Sequence, residues 1–195
     1  AIEIAASRLA ARSSWTVTDL LRQLTTGGGL EELRDGERTL EHVFALSYDA
    51  LDPQEQLVFR RISLHTGMEF GPHAVAALTG LPLSVTERAL EQLHIRNLAT
   101  EHTPNRFTLH DLLRKYARTL ADAEGTASRA AVERLANFYI SAADRADRLV
   151  HPYRPRTSLN PDDSITLPEI NDVHAAENWL IAESSNLSDT LDWIT

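Results

Sequence analysis

Residues 95–120 read IRNLATEHTPNRFTLHDLLRKYARTL, and the reading of this stretch decides the fold. Leu98 to Glu101 and Arg106 to Leu109 are predicted to pair as a short hairpin around His102-Thr103-Pro104-Asn105. In that turn Asn105 is the residue best able to take a positive φ. Asp111 can then start a helix that continues to about Glu124. Leu109-His110-Asp111 falls at the junction of hairpin and helix. A histidine just ahead of a helix start stands where backbone N–H groups and the positive dipole end already favour an anion. The junction is therefore the place to look for phosphate sensing.

Working upstream, Asp52-Pro53-Gln54-Glu55 is a strong helix start. Asp52 can cap, Pro53 suits the first helical position, and Glu55 can reach back to the N–H of the cap. That helix presents Leu57, Val58, Phe59, Ile62 and Leu64. Gly67 to Pro72 reads as a loop, and His73 to Thr79 as a helix ending at Gly80. Ser84-Val85-Thr86-Glu87 matches a capping box and opens a helix to about Arg96, with Ala89, Leu90 and Leu93 facing inward. Three helices, a hairpin and a further helix match a winged-helix module over 52–125, the hairpin being the wing. Ahead of it, 1–51 reads as a small helical bundle. Its helices cover about 1–12, the stretch from Thr16 to Gly27-Gly28-Gly29, and about Thr39 to Ala50. The last of these carries Leu40, Val43, Phe44, Leu46 and Leu51 on its core side.

Downstream, Val132, Leu135, Phe138, Tyr139, Ala142, Ala146 and Leu149 recur at three and four along a long helix, Ser128 to about Val150. Pro152, Pro155, Pro161 and Pro168 punctuate an exposed polar connection. Asn171 or Asp172 opens a helix holding Val173, Ala176, Trp179, Leu180 and Ile181, and Asn186 to Thr195 begins another. Residues 126–195 thus read as a helical linker leading toward helical repeats. The fold class is mainly α: a small helical bundle, a winged-helix domain with a short β-hairpin wing, and the linker.

Composition bounds the function. Of 195 residues, 43% are apolar, Lys and Arg number 19 and Asp and Glu number 28, for a net charge of -9. Strong general attraction to nucleic acid or an anionic membrane needs cationic clusters that this balance does not supply. The chain has no cysteine, which excludes disulfides, thiolate nucleophiles and cysteine-ligated zinc. No apolar run approaches the roughly 20 residues that span a bilayer. The start, AIEIAASRLAAR, lacks the basic-then-apolar pattern of a signal peptide and opens in mid-helix, so the chain reads as a fragment of a longer protein. His65, His73, His94 and His102 do not have the spacing of metal ligands, no HExxH is present, and no G-x-S-x-G elbow accompanies the serines. Trp15, Trp179 and Trp193 are expected to anchor helix pairs.

The segments AIEIAASRLAAR from Ala1, WTVTDLLRQL from Trp15, HVFALSYDALDPQEQLVFRRISLH from His42 and LHDLLRKYAR from Leu109 are each loose and jointly specific. Their order resembles the regulatory half of the signal-transduction ATPases called STAND, or NB-ARC, proteins. The likeness is greatest to bacterial transcriptional regulators of the antibiotic regulatory protein type. VHAAENWLIAESSNLSDTLDWI, ending at Ile194, looks like the helices that lead into a tetratricopeptide array in such proteins. The resemblance implies that the Met-His-Asp motif falls on Leu109, His110 and Asp111. His110 would contact the β-phosphate of ADP and Asp111 would support the turn of the motif, while Leu109 keeps an apolar anchor in place of Met. It implies ADP or ATP only in the full-length protein, with the nucleotide-binding domain and its phosphate loop, absent from this chain, lying upstream. No catalytic activity is then expected of this chain, although the parent would be an ATPase. Expected partners are the parent's nucleotide-binding domain and helical-repeat sensor, with oligomer formation on activation, DNA contacts through another domain, no membrane, and a cytoplasmic location. Gly80-Leu81-Pro82-Leu83 looks like the family's Gly-x-Pro motif but falls in the wrong module, as a helix stop and the next helix start.

Plainer readings stand beside these. From its chemistry alone, His110 is a junction histidine satisfied by backbone or water, and only the family pattern turns it toward phosphate. Asp111 is expected to cap its helix. Arg114 and Lys115 are expected on solvated surface, and Arg60 and Arg61 in ion pairs with nearby Glu. A DNA-binding winged helix would use Ser84 to Arg96 for recognition, but Glu87, Arg88, Glu91 and Arg96 are a poor charge set for that task. A helical interaction scaffold without nucleotide is a third possibility.

Overall fold

A computed structural model describes residues 36–155 and 165–194. The helices expected over 1–12 and after Thr16, the glycine stop, Trp15 and the middle of the proline-rich connection with Pro161 lie outside the described residues, as do the side chains of Leu40 and Trp193. The described chain is mainly helical, with eight helices and one small three-stranded sheet.

Helix α1, Gly36–Asp49, already includes the three residues ahead of the expected Thr39. Helix α2, Pro53–Ile62, starts as its sequence dictates: Asp52 accepts from the N–H groups of Gln54 and Glu55, and the Glu55 carboxylate accepts from the Asp52 N–H at 3.0 Å. The stretch expected as a loop from Gly67 to Pro72 contains strand β1, Glu69–Phe70. Its two residues are too few to show an alternating pattern. Tertiary packing creates the strand, as Phe70 is fully buried and stacks on Phe107 with ring centroids 6.4 Å apart. Helix α3, Pro72–Thr79, ends at Gly80, whose φ of 72° is the left-handed stop that glycine accepts without strain.

Helix α4, Leu83–Ile95, departs from the expected capping box. Pro82 occupies the cap position and Ser84 lies inside the helix, while the Thr86 hydroxyl donates back to the Pro82 carbonyl at 3.2 Å. Strands β2, Thr100–Thr103, and β3, Arg106–Thr108, form the expected hairpin, and Asn105 turns it with a φ of 62°. Strand β2 is shifted two residues toward the turn, so that His102 and Thr103 lie in the strand and not in the turn expected for them, and β3 ends one residue early; buried Leu98 and Leu109 flank the hairpin. The strands run antiparallel in the order β1-β3-β2.

Helix α5, Asp111–Asp122, follows directly, and helix α6, Thr126–Val150, comes after a turn at Gly125. Helices α7, Val173–Ala182, and α8, Ser184–Ile194, close the described chain. Asp172 caps α7 by accepting from the Ala175 N–H at 2.7 Å.

The largest apolar cluster joins Val43 and Phe44 of α1 to Phe59 and Ile62 of α2, Leu90 and Leu93 of α4, and Leu113 of α5. Tyr48, Phe59 and Tyr116 pack their rings within it. The α6 stripe forms a second cluster, in which Leu135, Phe138 and Tyr139 meet Leu64 and Leu78. Ala146, Ile170 and Ala176 form a third, with Trp179 packed against both of the last two, the anchor role expected of it. Among the described residues no helix is long and apolar enough to cross a membrane.

Candidate functional site

Only Leu109 and His110 separate the sheet from α5, and this short junction places the candidate residues. Leu109 is buried at 3% exposure and fixes the end of the hairpin in the core. His110 and Asp111, the next two residues, are exposed. The apolar-anchor part of the Leu-His-Asp pattern is thus present as geometry.

The helix cap differs from expectation. His110, with φ −59° and ψ 140°, is the N-cap of α5, and Asp111 is the first helical residue. The Leu112 N–H donates to His110 Nδ1 at 3.3 Å. With Nδ1 accepting, a neutral ring carries its proton on Nε2, which is a donor. Asp111 sits in the first turn, where a carboxylate interacts favourably with the helix dipole.

Arg114, one turn further on, is not on solvated surface. Its guanidinium donates to the carbonyls of His65 at 2.9 Å, Gly67 at 3.3 Å and Met68 at 3.4 Å. Burial lowers its pKa from the ordinary value, and the Asp111 carboxylate works in the opposite direction. The start of α5 is thereby tied to the segment between α2 and β1. Arg114 lies within the LHDLLRKYAR segment, but its partners are main-chain groups, so no residue pattern could have named them. Lys115 is exposed. Arg60 and Arg61 pair with Glu124 at 2.5 and 2.6 Å, as expected of that basic pair.

Two surface grooves lie elsewhere. One, about 430 Å³, runs between α4 and the β2–β3 hairpin and includes Ser84, Glu87, Arg88, Glu91, His94 and Glu101 in its walls. Its carboxylates outnumber its single arginine, so it would repel nucleic-acid phosphates. The other, about 270 Å³, lies beside Gly80, Leu81 and Pro82, with Arg134 at its edge. The Arg134 guanidinium is engaged with the carbonyls of Ala77 and Leu78, at the C-terminal end of α3. Among the described residues no three His, Asp or Glu side chains converge as a metal-binding group.

The chain is similar to two curated proteins. It is 36% identical, over 96% of its length, to the regulatory protein AfsR of Streptomyces coelicolor (strain ATCC BAA-471 / A3(2) / M145). It is 37% identical, again over 96% of its length, to the regulatory protein AfsR of Streptomyces griseus. The chain spans about a fifth of the length of these relatives, 20% in each case. No family model matches the chain, and no solved structure matches it.

Proposed function

We propose that this chain is the regulatory switch segment of a bacterial transcriptional regulator of the antibiotic regulatory protein type, within the STAND, or NB-ARC, ATPases. Supporting the reading, two regulatory proteins of Streptomyces match nearly the whole chain. The order of α2, β1, α3, α4, β2 and β3, with its sheet order β1-β3-β2, is compatible with the winged helix that the sequence suggests and supports that reading. The observation that carries the functional part is the exposed His110 at the cap of α5, directly after the buried Leu109.

In this reading His110 donates from Nε2 to the β-phosphate of ADP held by a nucleotide-binding domain elsewhere in the parent. Asp111 supports the turn. The contact favours a closed state, and ATP in place of ADP removes the differential interaction and releases the module for oligomer formation. A ligand shifts such an equilibrium only by its difference in affinity for the two states. Helices α7 and α8 lead into a tetratricopeptide sensor, another domain contacts DNA, the parent is the ATPase, and the setting is the cytoplasm. The chain alone has no catalytic role.

His110→Ala in the full-length protein is expected to speed ADP dissociation at least tenfold and to raise basal transcription of its targets. Unchanged ADP dissociation removes the assignment. DNA binding by the winged helix itself is disfavoured by the acidic groove between α4 and the hairpin. A low-salt gel-shift titration of this chain checks that point: tight, salt-sensitive binding would reverse it.

A further inference from the structure

Helices α7 and α8 dock partly through apolar groups, with Ala176 buried and Trp179, Leu180 and Leu187 packed against the neighbouring clusters. Within α7 only Ala176 is fully buried, while Val173, Ile181 and Leu191 of the pair remain 48%, 73% and 60% exposed. At its bend the pair also buries polar groups: Glu183, Asn186 and Thr190 are 8%, 3% and 5% exposed.

These groups enter a network drawn from distant parts of the chain. The Gly67 N–H donates to His65 Nδ1 at 3.1 Å, which assigns the ring proton to Nε2, 2.8 Å from the Tyr139 hydroxyl. The Tyr139 hydroxyl in turn donates to Glu183 at 3.2 Å. Arg106 of β3 pairs with the other oxygen of Glu183 and reaches Glu69 of β1 at 3.4 Å. The Asn186 amide donates to the Glu69 carbonyl at 3.1 Å and to Glu183. One carboxylate, Glu183, therefore satisfies groups from α6, α8 and β3 together.

The polar part of this interface specifies one geometry closely while adding little net affinity. A buried ion pair regains roughly what its desolvation costs, and every group in it is rehydrated on release. A hydrophobic interface of equal size has no such exit. We propose that Glu183 and Asn186 form a releasable latch: α7 and α8 undock as a unit, and residues 65–70 and strand β3 keep their ordered geometry only while the pair is docked. Arg114 of α5 holds three other carbonyls of the same segment, those of His65, Gly67 and Met68. Undocking therefore loosens the segment on which the start of α5 is braced. Any effect of this on nucleotide rests on the proposed role of His110, whereas the latch itself is tested without nucleotide.

The test is native-state hydrogen exchange on the full chain, wild type against Glu183→Gln and Gly67→Ala. Glu183→Gln removes the charge. Gly67→Ala leaves all charges in place and acts by bulk, since a Cβ there would lie 1.8 Å from Asn186 Oδ1. In both variants peptides from α7, α8, residues 65–70 and residues 104–109 are expected to exchange at least tenfold faster, with those from the middle of α2 and α4 unchanged within twofold. Wild-type rates at 65–70 and 104–109 beside a loosened α7–α8 would overturn the coupling, and wild-type rates throughout would overturn the latch. Should either variant not fold, the wild type in sub-denaturing guanidinium decides. A shared opening of these four regions ahead of α2 supports the latch, and exchange of all of them only with α2 refutes it.

Discussion

His65 is enclosed at 2% exposure, with its ring nitrogens used by Gly67 and Tyr139 and with Arg114 and Arg106 close enough to oppose a positive charge. Burial above all, then these cations, hold its pKa down at about 4 against an ordinary 6.5, although the Gly67 carbonyl works the other way. Above pH 6.5 the ring is neutral in folded and unfolded chains alike, and the full stability is present. As pH falls from 6.5 toward about 4 the unfolded chain takes up a proton that the folded chain refuses, and stability is lost across that window. The loss amounts to about 3 kcal/mol when the window has been crossed. Urea unfolding midpoints between pH 7 and pH 4 read it, and His65→Gln should flatten most of the slope. A wild-type profile without a step in that range would mean that the ring is reached by solvent. Tyr139, pushed well above the ordinary phenol value by burial and by Glu183, stays protonated throughout and acts only as a hydrogen-bonding hydroxyl.

At the scale of single elements, the starts and stops of helices follow from contacts within four residues. The Asp52–Glu55 box at α2 is the clearest case, since it satisfies three N–H groups, those of Asp52, Gln54 and Glu55. Asp52→Ala is expected to cost about 1–2 kcal/mol, seen as a lower urea midpoint with an unchanged slope. A change below a few tenths would show that the end of α2 is held by packing instead. The α4 start teaches the opposite lesson. Ser84-Val85-Thr86-Glu87 has the residue types of a box, but Pro82 already imposes the turn, and the helix begins before the serine. At α5 the cap position falls to His110, one residue ahead of Asp111, because the buried Leu109 fixes where the strand ends.

Across the whole molecule, polar ties link segments far apart in the chain. Glu124, in the turn between α5 and α6, meets Arg60 and Arg61 of α2. The Arg61 side chain is 7% exposed and donates also to the Ser128 hydroxyl at 2.9 Å. Burial lowers the Arg61 pKa and the Glu124 charge opposes that shift. Glu124→Gln leaves a buried guanidinium without its counter-charge and is expected to cost about 3 kcal/mol in thermal or urea unfolding. A cost under about 1 kcal/mol would be that of a surface pair and would place Arg61 in contact with water.

The helical class, the cap of α2, the stops at Gly80 and Asn105, the long α6 stripe and the exposed junction at His110 were all legible in the residues themselves. Each rests on backbone conformations or on side chains a few positions apart, and such interactions act before any distant part of the chain arrives. Strand β1, the three carbonyls taken by Arg114 and the meeting of Glu183 with Tyr139, 44 positions away, were not legible. Their partners are main-chain groups or lone polar side chains with no periodicity, and only the packing of α5, α6 and α8 around residues 65–70 determines which of them meet.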